Sequence, residues 1–293
     1  MVLISTVAVA EVKVVVTFKP LHALVCGVMQ GVAEPELLIK PGASVHGYAL
    51  QPSELKALNR AGLVFWMGPS LETFLKKSLA QLKPNIQVFA LEDTPIKRLI
   101  FRDSQCGYPH SHEPQIHEHT HAGLDPHFWL DPENAVVMVT AIADILSQYD
   151  LKNAEIYQKN SQQLKLRLKA LDQDIQAQLQ GVQDVPFMVF HDAYQYFEQR
   201  YGLKGVGAIA LNPELPPSAQ RLKKVRTLMV KEKVCCVFSE ASFKPKTMEM
   251  LLQGTSIKSQ MLDELGMDTP AGVEGYFILL DNLTRGFSSC LKP

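Results

Sequence analysis

At 293 residues the chain can bury a sizeable core in one large or two ordinary domains, so no disulfide framework or structural metal is needed merely to hold it together. Lys+Arg total 29 against Asp+Glu 30, a formal net charge of -1, which leaves no basic field for neutralising the phosphates of a nucleic acid. Apolar residues make up 46% and charged residues 20%, ordinary for a globular chain, and the absence of any apolar run of about 18 residues excludes a membrane-spanning helix.

Met1 to Ala10 are apolar and end in Ala8-Val9-Ala10 before Glu11. Residues 1–10 therefore read as a truncated export signal, with the mature chain starting at Glu11. No cysteine lies near that cleavage point, so the expectation is a free periplasmic protein rather than a lipid-anchored one. The five cysteines, at 26, 106, 235, 236 and 290, form no CxxC pair, which rules out a disulfide-dense scaffold and a thiolate zinc site.

From residue 12 onwards short apolar runs alternate with helical patterns, predicting βα units and a parallel sheet. The strands expected in the first half are Val12 to Thr17, Glu36 to Lys40, Leu63 to Met67 and Ile86 to Phe89, with helices over Leu21 to Gln30, Ser53 to Arg60 and Leu71 to Leu82. Glu92 to Asp125 is the one long stretch without a pattern, and it holds His110, His112, His117, His119 and His121 within a segment at 107–121. Asp131-Pro132-Glu133 then supplies an N-cap with proline at the first helical position. Next, Leu164, Leu168, Leu171, Ile175 and Leu179 form the apolar stripe of an unusually long helix, over 153–180.

Alternation resumes with strands at Pro186 to Phe190, Gly205 to Ile209, Val234 to Ser239 and Lys258 to Leu262, and helices near Asp192 to Tyr201, Ser218 to Lys231, Pro245 to Leu252 and Val273 to Phe287. The second half repeats the first. The expected fold is α/β: two (βα)4 lobes with parallel sheets, at 11–152 and 181–293, joined by the bridging helix 153–180, with a metal site at the lobe interface.

Parallel α/β sheets place their ligand sites beyond the carboxyl ends of their strands. His46 follows the strand ending near Lys40, His191 directly follows Phe190, Asp263 directly follows Leu262, and His127 sits at the entry to the Pro132 helix. Three neutral imidazoles and one carboxylate suit a borderline-soft dication such as Zn2+, whereas calcium and magnesium want mostly oxygens. His22 has no such placement and reads as a structural histidine. Protons should compete with the metal for the imidazoles near their usual pKa of about 6.5.

These residues carry a family resemblance. Gly42-Ala43-Ser44-Val45-His46 with Gln51-Pro52-Ser53, Asp125-Pro126-His127-Phe128-Trp129-Leu130-Asp131-Pro132-Glu133, Val189-Phe190-His191-Asp192-Ala193-Tyr194, Phe238-Ser239-Glu240 and Leu262-Asp263-Glu264-Leu265-Gly266 together resemble the cluster A-I solute-binding proteins of metal ABC transporters, in their zinc-uptake branch. The resemblance implies a monomeric receptor that is not an enzyme, holding Zn2+ on His46, His127 and His191 and delivering it to a membrane ABC permease. Asp263 matches an interface aspartate that either supplies a fourth ligand or leaves that position to water. Glu240 is a candidate acceptor for an imidazole N–H, with a carboxylate at a helix N-terminus as the plainer reading. Where enterobacterial relatives carry an acidic residue before the first histidine, this chain has Val45. The five clustered histidines match the branch's His-rich insertion and imply weak, exchangeable zinc sites. Cys236 and Cys290 match a cysteine pair of the branch, which implies a disulfide and leaves Cys235 free.

Two other readings carry less. A manganese or iron receptor of the same family would place a carboxylate where His191 stands. A zinc hydrolase could use the same ligands with Glu240 as general base, but the chain has no HExxH helix, and His117-Glu118-His119-Thr120-His121-Ala122 lacks the Asp-His ending of HxHxDH sites.

Overall fold

The computed structural model describes residues 12–40, 42, 45–102, 123–240 and 245–292. The signal expected at 1–10, Cys106 and the five clustered histidines lie outside the described residues.

The first half contributes β1 (Val14–Val16), α1 (Lys19–Met29), β2 (Glu36–Leu37), α2 (Pro52–Leu58), β3 (Leu63–Trp66), α3 (Lys76–Ala80) and β4 (Gln87–Ala90). The middle is α4 (Pro132–Tyr149) and α5 (Ala154–Gln178). The second half contributes β5 (Phe187–Val189), α6 (Gln195–Tyr201), β6 (Gly205–Ala208), α7 (Ala219–Lys231), β7 (Cys236–Ser239), α8 (Pro245–Leu252), β8 (Lys258–Met261) and α9 (Glu274–Leu291). Each half forms a four-stranded, wholly parallel sheet, and the orders match: β2-β1-β3-β4 and β6-β5-β7-β8. Strands β1, β3 and β5 are buried along their whole length, as the covered faces of parallel sheets require. Lys-Ser-Gln-Met forms the exposed edge strand β8, where a polar sequence is tolerated.

Helix α5 spans 25 residues, roughly 37 Å of helix. It buries Tyr157, Ser161, Leu164, Leu168 and Ile175 along one stripe and packs on α4, on α1 of the first half and on α9 of the second. The approach is close. A Cβ on Gly27 of α1 would meet Leu164 Cδ2 at 2.7 Å and Val273 Cγ2 at 2.9 Å, so only glycine fits there without repacking. A single hydrophobic core cluster runs through both halves, from Val16 and Leu24 to Phe187 and Phe287. Polar ties cross the same seam: Trp129 Nε1 donates to Glu264 O at 2.9 Å, Tyr276 hydroxyl to Trp129 O at 2.6 Å, and Lys19 Nζ to Met267 O at 2.7 Å.

Asp131 caps α4 as expected, accepting from Glu133 N at 2.9 Å. Three elements differ from expectation. Over 71–82 a 3-10 turn, Thr73–Leu75, precedes a short α3, because buried Glu72 accepts from the Met67 and Gly68 amides and ties the chain to the end of β3. Helix α6 starts at Gln195 rather than Asp192, since Ala193 N donates back to His191 O at 2.9 Å in a tight turn. Helix α9 continues past Phe287 to Leu291, where Cys290 is bridged to Cys236 on β7 with a Cα–Cα distance of 6.0 Å. Cys235, one residue along, is free.

Candidate metal centre

His46, His127 and His191 converge. Their ligand nitrogens lie within 4.8 Å of one another, and the ring centroids form a nearly equilateral triangle with sides of 5.3, 5.6 and 5.4 Å. His46 stands in the loop after β2, anchored on one side by buried Val45 and on the other by Tyr48, whose hydroxyl donates to Glu54 at 2.6 Å. Buried His127 opens the 3-10 turn Phe128–Leu130 and packs against Trp129 with the rings tilted by 53° and their centroids 5.2 Å apart. Buried His191 stands two residues beyond the end of β5. The Nε2 atoms of His46 and His127 are 3.4 Å apart. Two nitrogens bound tetrahedrally to one zinc at about 2.0–2.1 Å would be about 3.3 Å apart, so this pair already has the spacing of a shared ion.

Carboxylates hold the two buried rings from behind. Asp125 Oδ1 accepts from His127 N at 3.0 Å and lies 2.8 Å from His127 Nδ1. Glu240 lies 2.6 and 2.7 Å from His191 Nδ1 through its two oxygens. Each carboxylate thus directs its ring's Nε2 away from itself, as the outer partners of metal-bound histidines do. His191 Nε2 is buried and has no hydrogen-bond partner among the described residues. A buried nitrogen left unpaired carries a desolvation cost that a metal ion would remove.

Burial pushes the His46 imidazole down to about 2, reinforced by His127 and His191, and holds His127 well below its usual range. Burial also opposes charge on His191, but the Glu240 carboxylate outweighs it and raises that ring to about 9. Asp125 is driven up to about 8 by burial. His46 and His127 are therefore neutral rings, whereas His191 holds its proton against Glu240.

Against known families, residues 14–290 match the model of ZnuA, the periplasmic component A of the zinc-uptake complex. The high-affinity zinc uptake system protein ZnuA of Brucella suis is 37% identical over 314 aligned residues, covering 98% of this chain and 94% of that protein. Its counterpart in Yersinia pestis is 34% identical, covering 97% and 92%. The chain belongs to the ZnuA family. Among solved structures, a crystal structure of ZnuA superposes with a TM-score of 0.80 at 22% identity, over 96% of this chain and 100% of that one. The solute-binding protein FpvC of Pseudomonas aeruginosa, solved in complex with Mn2+, superposes with 0.81 at 21% identity, over 96% and 98%. At these identities the two structures establish the shared fold. The ZnuA family consists of uptake-system components and is not an enzyme class, and no helix among the described residues is long and apolar enough to cross a membrane.

In this member of the family, Asp263 stays outside the imidazole cluster. Its two oxygens accept from Leu265 N at 3.1 Å and Met267 N at 2.6 Å, closing the turn after β8. Its neighbour Glu264 is buried and brings a carboxylate oxygen within 4.8 Å of ligand atoms of His191 and Glu240. Burial and then Glu240 raise Glu264 to about 8, against the pull of His191. Sequence reasoning assigned no role to Glu264 or Asp125. Asp125 was discoverable, because an aspartate two residues before a histidine can accept that residue's backbone N–H and turn towards its ring. Nothing in the sequence distinguishes Glu264 from any other acid in a turn. His22, read as structural, sits with Nε2 2.8 Å from Pro35 O, consistent with that reading.

Proposed function

We propose that this chain is a periplasmic receptor that captures Zn2+ as cargo on His46, His127 and His191 and hands it to the membrane permease of an ABC importer, acting as a monomer and without turnover of any substrate. The observation that carries the reading is the unpaired Nε2 of His191, buried in a triangle of imidazoles drawn from both halves of a ZnuA-family chain. Three nitrogen donors favour zinc over hard cations that want oxygen. His46 is the most exposed of the three, so the ion enters from its side. Asp263 can serve as a fourth ligand only through an oxygen already engaged in its turn, whereas the Glu264 side chain accepts only a long hydrogen bond, from the Tyr194 hydroxyl at 3.4 Å. Signal cleavage before Glu11 and weak zinc sites on residues 107–121 complete the proposed biology.

Competitive titration against a chelator tests the reading. One zinc per chain should bind tightly, unaffected by excess Ca2+ or Mg2+. Absence of a tight site, or equal competition by Mg2+, would refute it.

A further inference from the structure

Two of the three imidazoles are linked through residues outside the triangle they form. Residues 99–102 and 123–125 pair as a short ribbon: Ile100 bridges Leu124, Phe101 N donates to Gly123 O at 3.1 Å, and Asp125 N to Leu99 O at 2.9 Å. One strand of this ribbon ends in Asp125, which fixes His127. The other ends in Arg102. The Arg102 guanidinium grips Asp192, the residue after His191, with Nε 3.1 Å from Oδ2 and Nη2 paired to Oδ1, while Nη1 donates to Glu198 of α6 at 2.6 Å. Helix α6 completes the seam. Tyr196 hydroxyl accepts from Leu99 N at 2.9 Å and donates to Asp125 O at 3.0 Å, and the Gln195 amide, oriented to donate, reaches Asp125 Oδ2 at 3.0 Å and Ile100 O at 3.2 Å. Asp192 and Glu198 are 9% and 2% exposed, so the arginine pairs with carboxylates that water scarcely reaches.

Resting on the proposed zinc-receptor reading, we infer that Arg102 is a positioning residue for metal capture: its fork on Asp192 and Glu198 holds the turn bearing His191 against the ribbon that fixes His127. The geometry needs an arginine. A planar guanidinium holds both oxygens of Asp192 and one of Glu198 at fixed angles, whereas a lysine ammonium is a point charge on a flexible stem.

The test compares Arg102→Lys and Arg102→Gln with the wild type, and with Arg167→Gln, which removes an exposed surface pair with Glu274. Zinc affinity comes from chelator competition, the fraction folded from circular dichroism, and ligand geometry from the visible spectrum of the Co2+-loaded protein. Arg102→Lys should fold, lose about 10–100-fold in zinc affinity, as losses of outer partners do, and give weaker Co2+ bands as the tetrahedral site loosens. Arg102→Gln should lose at least as much, and Arg167→Gln nothing. Wild-type affinity and spectrum in both Arg102 variants would overturn the inference, as would a loss that tracks the unfolded fraction with an unchanged Co2+ spectrum. A wild type without a tight site would instead sink the receptor reading beneath it.

Discussion

The His127–Asp125 and His191–Glu240 pairs share one arrangement, a buried ring backed by a carboxylate on Nδ1, yet they hold their protons differently. Burial and then His191 hold His127 well below its usual range, and burial raises its partner Asp125 to about 8. His191 faces Glu240, Glu264 and Asp192, whose combined field overcomes burial and raises it to about 9. The same motif thus holds a neutral ring in one place and a protonated ring in the other, and the neighbouring charges make the difference.

The comparison breaks most severely if a ring is removed. His127→Ala or His191→Ala should each lower zinc affinity by more than the ~10–100-fold that losing an outer partner costs, measured by competition with a calibrated chelator. The carboxylates come next. Asp125→Asn and Glu240→Gln should each cost about 10–100-fold, and equal pH profiles for the two variants would show that the pairs do not differ as described.

The pH profile sharpens the contrast. A ring raised to about 9 is protonated at pH 7 and must lose that proton to bind through Nε2. Zinc affinity should therefore rise by about tenfold per pH unit from 7 to 9 and level off above, with about one proton released per zinc in calorimetry across buffers of different ionisation heat. Glu240→Gln, which removes the group holding the proton, should flatten the slope. Sequence reasoning set the proton competition near 6.5, the ordinary imidazole value, because the charges around each ring come from distant parts of the chain.

The smallest effects on binding fall outside the centre. Cys290→Ser should leave zinc affinity unchanged while lowering stability by about 4 kcal/mol in denaturant melts, as expected for opening a loop that spans 54 residues. Deleting residues 107–120 should remove only weak additional zinc sites and leave the tight one at wild-type strength.

Much of the fold was legible in the chain. The eight strands among the described residues all fall inside the expected stretches or within a residue of them: β1, β3 and β5, buried throughout, had to be continuously apolar, and exposed β8 was found by its place in the βα alternation. The long helix was legible through its stripe and lack of a breaker. The start of α3 was not, since nothing local reveals that Glu72 is drawn down to the end of β3. At the site the three histidines were legible as strand-end and helix-entry residues. Their proton states, the commitment of Asp263 to its turn and the Arg102 seam were not, because each depends on residues roughly 40 to 100 positions apart or on backbone geometry that pattern does not encode.

X-ray absorption at the zinc edge of the loaded protein bears most directly on the central claim. Three imidazole nitrogens at about 2.0–2.1 Å, with one further light atom, is the shell this site predicts. A shell with sulfur near 2.3 Å, or one dominated by oxygen without imidazole scattering, would contradict it.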